Sequence, residues 1–362
     1  MPLQFNPLAI QLYLRNRSAR RQANVLTVSS RALPLWLCSG RLVGSHGALA
    51  AQAVRRGGPH RRWPHVDVYS TSRMIRILGT IFAGLLGLAF GSFLNVCLSR
   101  WPEGESIASP RSHCRNCDHT LSWWENIPLF SWLALRGRCR NCHAAISWRY
   151  PLVELMVGVL WATSWARHAQ DLLRSPGAPA YFLFLIVASA VLLWLLVALA
   201  ALDAEHLWLP NAITFPGIVL GMVYSAAREL YPKTSNTGHR LLMALLSSLI
   251  AAFLAALLIL FIRWLYWLIR RREGIGLGDA KLMALLGAWL GVSGALLAFS
   301  IGAVLGAIVA LVLLAVPAAR RESASWAVTK LPLGTFLCIG GIVSSLWGKE
   351  IIAAYLRWVG FS

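Results

Sequence analysis

Acid is what this sequence has least of: Asp and Glu number 14 in 362 residues, against 34 Lys and Arg, and charged residues of both signs make up 13%. A soluble globule draws about a quarter of its residues from the charged set to cover its surface. A chain that is 57% hydrophobic, with a mean hydropathy of +0.60, has to turn most of its surface to lipid. The same arithmetic excludes a disordered chain, a collagen and a coiled coil. Strand-like alternation is missing too. The apolar runs are long and unbroken, which selects helices over a closed barrel as the way to satisfy the backbone in lipid. The expected fold class is an all-α polytopic membrane protein.

The formal charge of +20 invites a nucleic-acid reading, and its distribution argues against one. Residues 1–73 hold eleven Arg and a single acid, Asp67. The rest of the excess lies in short loops between apolar segments, where Lys and Arg orient membrane helices. No basic helix or aromatic-interleaved patch accompanies it, so no nucleic-acid partner is expected. Residues 1–73 also lack a run of about 20 apolar residues and the ordered charged, apolar and small-residue regions of a secretory signal. Met74-Ile75-Arg76 opens directly onto the first apolar run. The expectation for 1–73 is a dispensable basic extension, either disordered or the product of a misassigned upstream start.

About eight membrane segments follow, near 76–98, 152–168, 180–201, 211–227, 241–268, 281–295, 298–317 and 331–357, the sixth and seventh forming a hairpin. The chain thus divides into the extension (1–73), a first transmembrane helix (74–99), a polar insert (100–150) and a membrane domain (151–362). The insert carries Arg100, Arg111, Arg115, Arg136, Arg138, Arg140 and Arg149, and later loops carry Arg270, Arg271, Arg272, Arg320, Arg321 and Lys330. Parity puts all of these on one side, expected to be the cytoplasm. Arg228, Lys233 and Arg240 fall opposite, as do residues 1–73, which runs against the rule.

Four of the seven cysteines form two pairs, Cys114-x-x-Cys117 and Cys139-x-x-Cys142, with 21 residues between them. These are two thiolate knuckles suited to one tetrahedral Zn²⁺. An insert of about 50 residues buries too little core to stand alone, which motivates a metal staple. Four sulfur ligands leave no open position, so the zinc is expected to be structural. Redox pairs or two disulfides are the alternatives, and a cytoplasmic position disfavours the latter. Cys38, Cys97 and Cys338 read as small buried residues.

The acids are few enough to sort. Glu103, Glu105, Asp118 and Glu125 lie in the insert and read as solvated; Asp171, Glu229 and Glu350 fall on the far side. Glu154, Asp203, Glu205, Glu273, Asp279 and Glu322 remain at the cytoplasmic membrane face, where an ionisable group is expensive and a functional suspect. Gly276-Leu277-Gly278-Asp279 sets a carboxylate after a glycine turn where an extended substrate can approach the backbone. A plain helix N-cap is the alternative for Asp279. No strand precedes the glycines, so this is no nucleotide loop. Asp203-Ala204-Glu205-His206-Leu207-Trp208-Leu209-Pro210-Asn211 is equally open between a solvated loop and a second carboxylate site. Two carboxylates at one interface can share a proton and activate water.

From residue 74 onward the chain resembles the type IV prepilin peptidases, bifunctional leader peptidase/N-methyltransferases. The likeness is carried by Gly91-Ser92-Phe93-Leu94-Asn95-Val96, Ser112-His113-Cys114-Arg115-Asn116-Cys117, Glu125-Asn126-Ile127-Pro128, and Arg136-Gly137-Arg138-Cys139-Arg140-Asn141-Cys142. It continues through Arg149-Tyr150-Pro151-Leu152-Val153-Glu154, the Asp203 loop, Gly276–Lys281 and Pro332-Leu333-Gly334. The resemblance implies an enzyme of the bacterial inner membrane that cleaves prepilins or pseudopilins after the leader glycine. The new terminus, usually Phe, would then be methylated from S-adenosylmethionine. It also implies that Asp203 and Asp279 are the catalytic pair.

Two positions depart from the family pattern: Glu205 stands where a second Asp often completes Asp-x-Asp, and Asn211 where an Asp commonly follows the proline. For the methyl donor the expected place is the insert and its junction with the second segment, with Glu154 as the candidate contact; pairing of Glu154 with Arg149 or Arg100 is the alternative. Trp123, Trp124 and Trp148 read as interfacial anchors. A transporter would instead show matching repeat halves around a midplane site, and none are visible.

Overall fold

The computed structural model describes residues 68–360 apart from 110, 175–177, 231–235, 273–275 and 316–330. These belong to the second of two units, Val66–Ser362; the first, Met1–His65, lies outside the described residues. So do most of the expected extension, Cys38, Glu273, Glu322, Arg320, Arg321 and Lys330.

Among the described residues the architecture is all helical. Helix α1 spans Val68–Arg100, and a short α2, Phe130–Ala134, lies in the insert behind a 3-10 turn at Trp123–Asn126. Then come α3 (Arg149–Arg174), α4 (Pro179–His206), α5 (Asn211–Arg228), α6 (Thr237–Arg270), α7 (Leu277–Ala315) and α8 (Leu333–Val359). Pairing outside helices is limited to two isolated bridges, His113 with Thr120 and Arg138 with Ala145. α1 begins at Val68, six residues ahead of Met74, because Val68–Arg73 contains no breaker to stop it.

Among the described residues five helices are long and apolar enough to cross a membrane: α1, α4, α6, α7 and α8. By that criterion α3 and α5 fall short. The expected hairpin is present within α7, with its break at Gly291 (φ 72, ψ −179) rather than near 296–297. Only glycine takes that conformation without strain. The first leg starts at Leu277, carries Asp279 in its first turn and reaches Gly341 of α8 through Leu286. The second leg meets α8 at Ser344, Leu337 and Phe336 through Gly294, Gly302 and Gly306 in turn, so it runs back toward the end where α8 begins. At 1.5 Å per residue the first leg, Leu277–Leu290, is only about 21 Å long.

Small residues let these helices approach closely, as expected where lipid supplies no driving force between them. Gly91 of α1 lies so near α3 that a Cβ would stand 2.7 Å from the Glu154 Cα. Polar side chains bridge backbones in the interior: Ser344 Oγ donates to Gly294 O at 2.8 Å, Ser248 Oγ to Ala288 O at 2.9 Å, and Trp289 Nε1 to Gly217 O at 2.8 Å. Around them α4 is the central helix, with Leu193, Leu196, Leu199 and Leu202 almost completely buried.

Helix-end contacts sort into two faces. One holds Asp203, Arg149, Glu205, Asn211, Lys281 and Thr335. The other holds the pairs Arg167–Glu350 and Arg240–Glu229, and Tyr181 donating to Arg228 O. The second set matches the sequence reading of Glu229 and Glu350 as far-side residues.

Candidate active site and cysteine cluster

Asp203 sits in the last turn of α4 and is 5% exposed. The helix ends at Leu207, whose left-handed backbone (φ 52) turns its N–H back to the Asp203 carbonyl at 2.9 Å. The chain then runs through the buried Leu209 to Pro210, and Gly278 packs directly onto Leu209; a Cβ there would lie 3.1 Å from its Cδ1. That contact seats the Gly276–Asp279 turn on the loop that follows Asp203.

Asp279 is 8% exposed. Because α7 starts at Leu277, Asp279 lies inside the first turn and not at the cap, and its carboxylate accepts the Gly276 backbone N–H. Asp203 and Asp279, 76 positions apart in sequence, are near enough to interact electrostatically with each other and with the buried Cys338.

α8 completes the site. Its first turn places Gly334 against the Asp203 carboxyl, where a Cβ would stand 2.9 Å from both Cγ and Oδ2. The next residue, Thr335, donates its backbone N–H to Asp203 Oδ2 at 2.7 Å, and its hydroxyl lies 3.2 Å from the same oxygen and 3.0 Å from Ala200 O. The N-terminus of a 27-residue helix thus faces a carboxylate, which its dipole favours. The Pro332-Leu333-Gly334 motif belongs to the family resemblance, and the fold brings its glycine against Asp203. Thr335 was missed, since nothing in its spacing links it to a residue 132 positions away.

The neighbouring polar residues have other partners. Glu205 Oε2 accepts from Arg149 Nη1 at 2.7 Å and lies 3.8 Å from His206 Nε2. Lys281 Nζ donates to Asn211 Oδ1 at 2.5 Å, tying the start of α7 to that of α5.

Glu154 is 7% exposed in α3. Its Oε2 accepts the Leu129 backbone N–H at 2.8 Å, and Ser92 and Asn95 of α1 also hydrogen-bond to it. Leu129 carries a positive φ of 60°, so the carboxylate holds a strained turn after Ile127-Pro128. Arg149, one suggested partner for Glu154, goes to Glu205 instead.

In the insert the two cysteine pairs fold alike. Cys114 N–H donates to His119 O at 2.9 Å and Cys139 N–H to Ala144 O at 2.8 Å, with left-handed Asp118 (φ 55) and His143 (φ 59) after each pair. The four sulfurs lie within 4.8 Å of one another, with Cys114 Sγ and Cys142 Sγ 3.8 Å apart. Tetrahedral Zn–S bonds of about 2.3 Å demand a sulfur spacing of about 3.8 Å, so the donor set fits one ion shared by both pairs. Asn116 Nδ2 reaches Cys142 Sγ at 3.5 Å and Asn141 Nδ2 reaches Cys117 Sγ at 3.6 Å, each knuckle supporting the other's ligand.

Glu125, read as solvated, is buried. It closes a capping box on Ser122, accepting its N–H at 2.7 Å, with His119 Nε2 3.7 Å away. Burial pushes its carboxyl up, and the Ser122 hydrogen bonds, with His119 and Arg140, outweigh that and hold it below the ordinary glutamate value. The insert tryptophans also pack: Trp148 lies 4.3 Å from Trp132, and Arg140 sits 5.1 Å over Trp124.

Comparison with known proteins matches both halves of this arrangement. The family model for the Bacterial Peptidase A24 N-terminal domain covers residues 85–168, and that for the Type IV leader peptidase family covers 190–311. A prepilin leader peptidase/N-methyltransferase of Stutzerimonas stutzeri is 36% identical over 300 residues, 76% of this chain and 92% of the relative. Proteins of the same name from Pseudomonas putida (35% over 301 residues, 77% and 94%) and Pseudomonas aeruginosa (34% over 324 residues, 82% and 99%) are also similar. No solved structure gives a significant match.

Proposed function

Because the chain belongs to the type IV leader peptidase family, we propose that it is a membrane aspartic peptidase that removes the leader of type IV prepilins or pseudopilins after a glycine and then N-methylates the new terminus. The observation that carries this reading is the meeting of Asp203 and Asp279. Both are buried, come from separate helices and converge at one end of the bundle, where the first turn of α8 holds one of them in a fixed orientation.

In this mechanism one carboxylate takes a proton from water, and the oxygen attacks the glycine carbonyl carbon. The protonated partner donates to the carbonyl oxygen as it gains charge. On collapse of the tetrahedral intermediate the carbon–nitrogen bond breaks, the departing amine takes the proton drawn from water, and a hydroxyl of the intermediate returns its proton to the partner carboxylate, which restores the pair. Thr335 keeps Asp203 from rotating away, and the Gly276–Gly278 turn leaves room for an extended peptide beside Asp279.

The four cysteines hold a structural Zn²⁺ in a cytoplasmic insert, and the chain crosses the bacterial inner membrane about eight times with its catalytic face cytoplasmic. The arginines of the insert support this orientation. S-adenosylmethionine supplies an electrophilic methyl group to the new amine. The junction of the insert with α3 is the proposed place for it, with Glu154 as the contact residue. Partners are the prepilin substrates and the surrounding lipid, and no nucleic acid is involved.

The test uses purified protein in lipid vesicles with a prepilin peptide and S-adenosylmethionine, read by mass spectrometry. The expected product lacks the leader and is one methyl group heavier at its new terminus, and Glu154→Gln should still cleave while methylating at least tenfold less. An intact peptide contradicts the peptidase reading; equal methylation by Glu154→Gln removes Glu154 from the methyl-donor site.

A further inference from the structure

The charged contact between Arg149 and Glu205 joins the insert to the catalytic turn. Arg149 opens α3 where the insert ends, with its guanidinium 5.0 Å over the Tyr150 ring and Nη1 2.7 Å from Glu205 Oε2. The Tyr150 carbonyl accepts from Asn95 Nδ2 of α1 at 2.9 Å. One turn further on, Glu154 holds the Leu129 N–H of the insert at 2.8 Å. The first turn of α3 is therefore fixed on α1 and on the insert, and Arg149 projects from a rigid base.

Glu205 is two residues beyond Asp203 in the same helical turn, and residues spaced i, i+2 point to opposite sides. Glu205 thus faces the insert while Asp203 faces α8, so a hold on Glu205 acts on the backbone of the turn and not on the catalytic carboxyl. Asp203 is secured on its inner side by Thr335 and on its outer side, through Glu205, by Arg149. His206 Nε2 also lies near this carboxylate, 3.8 Å from the same Glu205 oxygen.

We infer that Arg149 and Glu205 are positioning residues of the peptidase: they form a clasp through which docking of the insert fixes the Asp203 turn against Asp279. The inference rests on the peptidase reading and adds a route by which the insert, which supplies no catalytic carboxylate, sets the rate of cleavage. The side chains are 23% and 33% exposed, so the pair contributes little to overall stability. Its effect falls on geometry, where small displacements of a reacting group are costly.

The experiment measures kcat, KM and thermal midpoint for leader cleavage by the full chain, comparing wild type with Arg149→Ala, Glu205→Ala, the double alanine variant, Arg149→Lys and the charge exchange Arg149→Glu/Glu205→Arg. Each alanine variant should lower kcat about fivefold, with KM and thermal midpoint unchanged. The double variant should be no slower than either single one, the mark of a shared interaction. Arg149→Lys and the charge exchange should recover most of the rate. Wild-type rates in both singles, additive losses in the double, or losses that follow a fall in thermal midpoint would each overturn the clasp. Failure of the underlying reading looks different: wild type would then cleave no faster than Asp279→Asn.

Discussion

Gly334 has no side chain, and the site depends on that. A methyl group there would stand 2.9 Å from the Asp203 carboxyl carbon, a distance real Cβ atoms essentially never adopt. Asp203 would have to swing off Thr335 or α8 would have to shift outward. Gly334→Ala should therefore lower kcat for leader removal by about a hundredfold, since a displacement near 1 Å of a catalytic group costs that much. The protein should still fold, because Gly334 lies in the first turn of α8, where alanine is a good helix former. A steady-state assay beside a melting curve checks this, and an Ala variant with wild-type kcat would show that the close approach has no part in catalysis. At this scale the scarcity of acids made six carboxylates candidates, and the family resemblance singled out Asp203 and Asp279 among them. Thr335 was not, because a threonine entering an apolar helix announces no distant partner.

Among the elements, the insert and the α7 hairpin show what sequence reveals and what it hides. Two C-x-x-C pairs announce a shared metal site by spacing alone, and the fold brings all four sulfurs to one point. The reciprocal Asn116 and Asn141 contacts and the burial of Glu125 were not legible, since each depends on how the knuckles face each other and the following 3-10 turn. For the hairpin, the break was expected several residues late. Glycines at 287, 291, 294 and 302 all interrupt the same apolar run, and most serve close packing while only Gly291 turns the chain.

The insert carries its own prediction. Cys114→Ser should reduce bound zinc from about one ion per chain toward none, because a structural site needs all four ligands. The insert should become readily cleaved by added protease while α1 and α4–α8 stay intact, and leader removal should fall only partway. Full zinc occupancy in that variant would contradict the four-sulfur site.

Across the whole molecule, hydropathy made the membrane class and most helix positions legible, because each apolar run is long and its ends are marked by Arg, Pro or Gly. Sequence could not show how the runs pack. The central position of α4, the return of the second α7 leg along α8 and the meeting of three helix ends at Asp203 all arise from contacts between distant segments. The account rests on Asp203 and Asp279 acting together, and the most direct measurement is leader removal by folded Asp203→Asn, Asp279→Asn and Glu205→Gln proteins. An amide cannot take the proton of water or complete a shared-proton pair, so each Asn variant should lose at least about a thousandfold in rate. Glu205→Gln, which weakens the clasp with Arg149 and leaves Asp203 in place, should stay within about tenfold of wild type. Full activity in Asp203→Asn together with an inactive Glu205→Gln would contradict the account and move the catalytic role two residues along the same turn.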